Sequence, residues 1–253
     1  MHANDDPPIK STAFSFDLLE AIHDRGEATL PESVGECDVP KSTVHDHLAT
    51  LTRMGYLVNE DGSYRLSLRF LNFGGGVRSR FRFFQVAESK VRELANETGE
   101  HANLMVEENG KGVFLYKVKG SDSVNLDTYE GMEVYLHTTA MGKAILAELP
   151  AEKRAAIIDR HGLPAATENT ITDRDELADE IDRIRERGYA IDNEERIQGI
   201  RCVAAAISTD DRVVGGLSIS APRRRMSDER FEETIPVEVL RTANIIEVNL
   251  QHS

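Results

Sequence analysis

The chain of 253 residues is long enough for two domains of ordinary size, and its 40% hydrophobic content excludes wholesale disorder. No apolar run resembles a membrane span or a signal peptide, and Cys37 and Cys202 are too far apart to suggest a disulfide framework, so the sequence predicts a cytoplasmic protein without a membrane partner. The net charge of −14 argues against a uniformly basic nucleic-acid-binding protein.

The charge is unevenly distributed along the chain. Residues 41–82 carry seven basic and three acidic side chains, a local charge of +4 inside an acidic protein. The whole chain has 22 arginines against eight lysines, together with abundant acidic residues. This balance is typical of proteins that stay soluble in concentrated intracellular salt, and it predicts a halophilic protein.

The N-terminal segment predicts two short helices. Ser11 and Thr12 can cap a first helix over residues 13–22. Thr29 can cap a second helix, and a turn over residues 35–38 then leads toward a third.

The third helix, residues 41–54, has the pattern of a DNA-recognition helix. Val44, Leu48 and Leu51 form a stripe that can be buried against a partner helix. The other positions carry groups able to meet base edges or phosphates: Lys41, Ser42, Thr43, His45, Asp46, His47, Thr50 and Arg53. An ordinary amphipathic surface helix is the alternative, but the two short helices and the tight turn before it favour recognition.

Three of these residues carry more specific expectations. Thr43 and His47 are both expected to face outward, so replacing them with alanine should remove specific DNA binding and leave the fold intact. Asp46 cannot contact phosphate favourably, but its carboxylate can accept a hydrogen bond from cytosine N4.

A hairpin is predicted directly after the third helix. Residues 56–59 and 63–66 predict two short strands around Asp61-Gly62. Arg65 lies where such a wing approaches the phosphate backbone. The first 70 residues therefore predict a winged helix-turn-helix.

The run VPKSTVHDHLATL over residues 39–51, with Gly55-Tyr56-Leu57 and Tyr64-Arg65-Leu66, resembles the recognition helix and wing of IclR-type transcription regulators. The resemblance returns over residues 137–144 and 188–195 and so covers nearly the whole chain. Departures occur at three positions: Asp46 stands where members often carry arginine, and Val34 and Asp38 stand where they carry a small residue and a glycine. Asp38 can still adopt a left-handed turn.

Residues 68–99 predict a mostly helical linker. Its apolar stripe consists of Phe81, Phe84, Val91 and Leu94. The triplet Gly74–Gly76 is expected to interrupt the helix as a hinge, because three glycines cost a helix roughly 3 kcal/mol. The family resemblance implies that this helix contributes to a dimer contact, although the stripe is equally compatible with packing inside one chain.

The remaining sequence predicts an α+β domain, with strands and with helices on one side of them. The strands are residues 102–107, 112–118, 202–209 and 212–220, with turns at Asn109-Gly110 and Asp210-Asp211. The helices are residues 139–149, 172–187 and 227–250, with Thr172 and Asp175 at the spacing of a capping box. By resemblance this is a GAF-like effector domain, an antiparallel sheet with flanking helices.

The resemblance also implies an effector pocket, formed by Ala140, Met141, Asp192, Cys202, Ser218 and Ser220. Free N–H groups at the helix start near Ala140 could bind a carboxylate. Ser218 and Ser220, two apart on a strand, point the same way, and Asp192 is expected in the loop before Cys202. The bulk of Met141 should shrink the pocket. The alternative is that the serines merely face solvent.

These expectations define the predicted function: a DNA-binding transcription regulator of a catabolic operon, controlled by a small organic acid. Its domains are the winged helix (1–70), the linker and dimerisation helix (71–99) and the effector domain (100–253). The partners are a palindromic double-stranded operator and a second copy of the chain, as a homodimer or a dimer of dimers. No catalytic residue, cofactor or metal site is predicted. A C-terminal domain serving only dimerisation and a Cys202-dependent hydrolase are the alternatives.

Overall fold

The computed structural model describes residues 7–35, 39–210 and 212–252. The chain divides into two compact units, Met1–Val77 and Arg78–Ser253. The predictions for the turn after Gly35, for Asp38 and for Asp211 lie outside the described residues. None of the helices within the described ranges combines the length and the apolar character needed to cross a bilayer.

The first unit is a helix-turn-helix followed by a hairpin. Its elements are α1 (Lys10–Arg25), β1 (Ala28–Thr29), α2 (Leu30–Gly35), α3 (Lys41–Arg53), β2 (Leu57–Glu60) and β3 (Ser63–Leu66). The three strands pair antiparallel in the order β1-β3-β2. The predicted wing is confirmed: Asp61 and Gly62 both have positive φ angles, as the tight turn of such a hairpin requires.

The core of this unit lies between α1, α3 and the sheet. The apolar stripe predicted on α3 is confirmed, since Val44, Leu48 and Leu51 are all buried. The predicted start of α1 is wrong. The helix begins three residues earlier than predicted, and the N–H groups of Thr12 and Ala13 donate to the carbonyl of Ile9. Ser11 and Thr12 therefore lie in its first turn and do not cap it.

A continuous helix, α4 (Arg69–Arg80), follows the wing. It runs through Gly74–Gly76, so the predicted interruption at these glycines is wrong. The helix ends instead at Phe81, whose backbone is extended, and the side chain of Gln85 donates to the carbonyl of Ser79 in the last turn. Glycine weakens a helix but leaves its backbone hydrogen bonds intact, so a break is not obligatory.

The second unit is built on a six-stranded sheet in which every neighbouring pair is antiparallel, in the order β6-β5-β4-β9-β8-β7. Its helices are α5 (Arg82–Thr98), α6 (Ala140–Glu148), α7 (Ala151–His161), α8 (Arg174–Arg187) and α9 (Ile235–His252). Its strands are β4 (His101–Glu108), β5 (Lys111–Val118), β6 (Glu133–Tyr135), β7 (Ala190–Asn193), β8 (Ile200–Thr209) and β9 (Arg212–Pro222). The strands β6 and β7 and the helix α7 were not predicted.

Helices cover both faces of this sheet, so the prediction of helices on one side only is wrong. One core contains residues of α5 and α9, and the other contains residues of α6 and α8. On β4, Leu104 belongs to the first core and its neighbour Met105 to the second. A strand covered on both faces needs a nearly continuous apolar run, and residues 104–106 supply one.

Two helix details differ from the predictions. In α8 the N-cap is Asp173 and not Thr172, because the Asp173 carboxylate accepts from the backbone N–H of Asp175 at 2.9 Å. In α5 the buried aromatic is Phe83, whereas Phe81 is 39% exposed. Phe81 precedes the helix, so it falls outside the helical periodicity that aligns Phe83 with the rest of the stripe.

Candidate functional sites

The outer face of α3 carries most of the residues predicted to meet DNA. The exposed members are Lys41, Ser42, His45, Asp46, Thr50 and Arg53, and Thr43 is half-buried. Asp46 lies almost opposite the buried stripe, and its side chain is 80% exposed. This exposed polar face is what a helix needs in order to enter a major groove.

His47 does not face outward as predicted. Its Nδ1 lies 2.7 Å from the Ser15 hydroxyl, and its ring packs edge-on against Phe14 with the centroids 4.8 Å apart. At about 100° per residue, position 47 lies only about 60° from Val44, at the border of the buried stripe. The side chain therefore helps to join α3 to α1 within this unit.

The arginine of the wing is already paired within its hairpin. Arg65 Nη2 lies 2.5 Å from Glu60 Oε1, and both side chains are largely exposed. Such surface pairs contribute about 0–1 kcal/mol, so a DNA phosphate can displace Glu60. Arg69, which follows the wing, instead donates to the carbonyl of Met54 and stacks over the Tyr56 ring.

A cavity in the second unit brings together all of the predicted effector residues, namely Ala140, Met141, Asp192, Cys202, Ser218 and Ser220. Ser218 and Ser220 are 1% and 7% exposed, so the alternative that they face solvent is wrong. Cys202 pairs with Ser220 across β8 and β9. Asp192 lies on β7 opposite Cys202, and not in a loop as predicted, because β7 adds an edge strand to the sheet.

Asn103, which sequence reasoning missed, lies beside these two serines. Its Nδ2 donates to Ser218 Oγ and to Ser220 Oγ, each at 3.2 Å. Because both hydroxyl oxygens accept from the amide, each serine keeps its hydroxyl hydrogen for a further partner, and for Ser220 the neighbouring Cys202 sulfur is one such partner. The signal was a lone amide inside an apolar strand, since a buried amide needs polar partners.

The cavity is small, at about 30 Å³, which is room for about two water molecules. Met141 lies in its wall, and a side-chain carbon placed on Gly216 of the sheet would lie 3.4 Å from the Met141 Cβ. That the bulk of Met141 shrinks the pocket stays a prediction. The start of α6 packs closely against the preceding turn, since a side chain on Gly142 would overlap the carbonyl oxygen of Leu136. An organic molecule can enter only if side chains on the wall move.

A buried ion pair lies next to the cavity. The Lys143 ammonium, 0% exposed, donates to both carboxylate oxygens of Glu195, at 2.6 and 2.5 Å. Asp192 Oδ1 accepts from the backbone N–H of Glu195 at 2.7 Å. Burial, together with the nearby Glu195 carboxylate, raises the pKa of Asp192 from its usual 3.8 to about 7, although Lys143 opposes the shift.

This raised pKa predicts a pH dependence of folding. Between about pH 4 and pH 7 the folded chain holds a proton on Asp192 that the unfolded chain releases, so the free energy of unfolding falls as the pH rises. Replacing Asp192 with asparagine should flatten this slope, although Glu195, whose pKa burial also raises, keeps part of it. Thermal unfolding of both proteins across this range tests it, and parallel curves would contradict the assignment.

The chemistry of Cys202 does not suit a nucleophile. Burial, and then the neighbouring Asp192 carboxylate, raise the pKa of its thiol well above the usual range. A cysteine hydrolase needs a thiolate, which this environment disfavours. Within the described ranges, no group of three or more histidine, cysteine and carboxylate side chains could hold a metal ion.

A helix-turn-helix with a wing and an exposed polar face on its third helix defines a DNA-binding transcription regulator. Two family descriptions match the chain: the IclR helix-turn-helix domain over residues 15–61 and the bacterial transcriptional regulator IclR C-terminal domain over residues 76–248. The chain belongs to the IclR family of transcription regulators. Curated relatives such as those of Halobacterium salinarum and Escherichia coli are likewise named as transcriptional regulators.

Known relatives extend over nearly the whole chain. "Probable HTH-type transcriptional regulator ArcR" of Halobacterium salinarum is 33% identical, covering 98% of this chain and 97% of the relative. The crystal structure of the Thermotoga maritima IclR is 30% identical, with a TM-score of 0.78 over 95% of this chain and 98% of that one. An IclR homologue from Microbacterium hydrocarbonoxydans, solved in complex with 4-hydroxybenzoate, shares the fold, with a TM-score of 0.80 at 23% identity over 96% of this chain and 100% of that one.

Proposed function

We propose that the chain regulates a catabolic operon and that a small organic acid bound in the second unit controls it. The observation that carries this proposal is the small cavity, whose wall contains the polar or titratable side chains of Asp192, Cys202, Ser218 and Ser220. A module built only for dimerisation has no need for hydroxyl groups buried around a cavity. The bound 4-hydroxybenzoate of the Microbacterium homologue is an acid of the proposed class.

The wall supplies hydrogen-bonding groups for both the carboxylate and the hydroxyl group of such an acid. The N-terminus of α6 offers backbone N–H groups near Ala140 to a carboxylate, and the hydroxyls of Ser218 and Ser220 add two further donors. The Asp192 carboxylate can accept from a hydroxyl group of the ligand. Entry of the ligand would require side chains of the wall, such as Met141, to move.

On the DNA side, we propose that α3 reads the operator and that the wing contacts phosphates through Arg65. We keep the domain bounds predicted from the sequence: a DNA-binding domain over residues 1–70, a linker and dimerisation helix over residues 71–99 and an effector domain over residues 100–253. Asp46 would accept from cytosine, which distinguishes this helix from one carrying arginine there.

We propose that the chain acts as a homodimer, or as a dimer of dimers, on a palindromic operator. Two recognition helices would then enter major grooves roughly 10 bp apart, or a multiple of that distance. Analytical ultracentrifugation at micromolar concentration in high salt checks the assembly. A monomer there, or an operator without a dyad, would refute it.

The double substitution Ser218→Ala and Ser220→Ala tests the effector site. We expect it to abolish the response to the acid while DNA binding by the protein alone stays as in the wild type, because both residues lie in the second unit. Calorimetry with organic acids, beside operator-binding assays, measures the two properties. Ser208→Ala, on β8 and outside the cavity lining, is the matched control.

The same experiment separates the proposal from a dimerisation module. If no organic acid binds the wild type or raises its melting temperature, the second unit serves assembly alone. If an acid binds the double variant with unchanged affinity, the ligand occupies another site.

A further inference from the structure

The wall of the cavity contains one cation that neither the sequence pattern nor the family resemblance singled out. Arg196 lies in the segment between β7 and β8, directly after Glu195. Its guanidinium stacks over the Phe114 ring, 5.5 Å from the centroid, and Nη2 lies 3.4 Å from the sulfur of Met132. These are contacts to weak or neutral partners, and none of them compensates a full positive charge.

Three other arginines of this unit, Arg201, Arg225 and Arg230, are paired with carboxylates, whereas Arg154 donates to backbone carbonyls. Arg201 lies 2.7 Å from Asp228, and Arg225 and Arg230 both pair with the buried Glu100. Among the residues that the structure describes, Arg196 has no such ion pair. Burial lowers the pKa of its guanidinium, and the nearby Cys202, Asp192 and Asp127 side chains only partly oppose this shift. A partly buried guanidinium without an ion pair favours the binding of an anion beside it.

The position of Arg196 connects the small cavity with a much larger groove. The groove has a volume of about 710 Å³ and runs along residues 124–127 and 132–135 and past Pro164. Arg196, with Leu126, Ile197 and Ile200, lines both the cavity and the groove. A molecule that moves from the groove into the cavity along this shared wall passes beside Arg196.

The charges of the cavity explain why a cation is needed there. An acid entering the cavity meets Asp192, which is partly ionised at neutral pH because of its raised pKa, with the Glu195 carboxylate close behind it. Two other nearby cations already have partners: Lys143 is fully buried and donates to Glu195, and Lys117 donates to the carbonyls of Leu126 and Thr128 and to the Thr128 hydroxyl. Without a further positive group, an organic anion would be repelled, because two like charges at close range disfavour each other in a poorly solvated site.

We infer that Arg196 is the anion-binding residue of the effector site. The acid group of the ligand lies between its guanidinium and the N-terminus of α6, and a hydroxyl or oxo group of the same ligand reaches Ser218 and Ser220. This inference rests on the proposed function, since it assigns the charge partner of the same ligand. Guanidinium and carboxylate can form two parallel hydrogen bonds, which selects acids over neutral analogues.

The experiment compares acids with their amides. Lactate, 4-hydroxybenzoate and gluconate, each beside its primary amide, are titrated into the full-length protein by calorimetry. We expect the wild type to bind at least one acid, and to bind it more tightly than its amide. Arg196→Gln should weaken binding of that acid by about 10- to 100-fold, the effect of losing a hydrogen bond between charged groups, and leave amide binding unchanged. Arg196→Lys should retain part of the preference.

Arg223→Gln is the matched control. Arg223 pairs with Glu194, two residues before Arg196, but does not line the cavity. Arg223→Gln removes one guanidinium near Arg196, so it shows how much of the effect of Arg196→Gln comes from the loss of a positive charge alone. We expect acid binding by this variant to match the wild type.

The outcomes separate this inference from the proposed function. An acid that is lost on Ser218→Ala/Ser220→Ala but binds Arg196→Gln with wild-type affinity overturns the role of Arg196 and leaves the effector site standing. If the wild type binds the acid and its amide equally well, the role of Arg196 is also overturned while the effector site stands. Binding of no acid by the wild type overturns both. Should Arg196→Gln fail to fold, Arg196→Met keeps the apolar length of the side chain, and its acid affinity then decides.

Discussion

Replacing Thr43 and Asp46 together with alanine is expected to lower the affinity for the specific operator by about 100-fold or more, since each good base contact contributes roughly 1–3 kcal/mol. Both residues lie in the first half of α3, where a recognition helix meets base edges. Binding to unrelated DNA should stay equal or become slightly tighter, because the substitution removes a carboxylate that phosphates repel. Fluorescence anisotropy with operator and scrambled duplexes measures both affinities.

A control with the same residue types is available in the second unit. Thr172 and Asp175 are exposed near the start of α8, so Thr172→Ala/Asp175→Ala removes the same chemical groups outside the DNA-binding unit. Wild-type operator affinity in the Thr43/Asp46 variant would show that another surface reads the bases. His47 is unsuitable for this test, because its contacts with Ser15 and Phe14 make any substitution a change in folding as well.

Replacing Lys143 with methionine should destabilise the second unit by about 3–5 kcal/mol, the usual cost of breaking a buried ion pair from one side. The remaining Glu195 carboxylate would be nearly buried, with Asp192 beside it and no ammonium to balance the charge. Methionine has a similar length, so the loss comes from charge and not from a cavity. Urea unfolding followed by circular dichroism gives the change in free energy.

Two further variants isolate the cause. Lys143→Met combined with Glu195→Gln removes both charges and should recover much of the lost stability, because no carboxylate is then left without its partner. Lys153→Met breaks an ion pair with Glu107 in which the lysine is half-exposed, and it should cost less than about 1 kcal/mol. If Lys143→Met were as mild as Lys153→Met, the buried pair would not be a main source of stability.

The winged helix could be predicted because its signals are local. The buried stripe of α3 follows from helical periodicity, and the wing follows from the Asp61-Gly62 turn. His47 was wrongly predicted to face outward. A position about 60° from the buried stripe can be exposed or buried, and here its contacts with α1 determine the outcome. In such border positions the partner element determines the exposure.

The cavity was predicted in part, for a related reason. The alternation along β9 placed Ser218 and Ser220 on one face, which the structure confirms. Asn103 and Arg196 join them from strands or loops distant in sequence, so no spacing could bring them together. The edge strand β7, only four residues long, was too short to recognise, and Asp192 was therefore assigned to a loop.

The glycine triplet of α4 sets how easily that helix opens. A side chain at Gly74, Gly75 or Gly76 would meet nothing within 4 Å, and α4 has no buried residue of its own. Relative to three alanines, the triplet makes the helical state less favourable by roughly 3 kcal/mol. The amide hydrogens of α4 should therefore exchange with heavy water through frequent local opening, much faster than those of α5, whose apolar face is buried. The chain is therefore expected to have a helix of low local stability at the end of its DNA-binding unit.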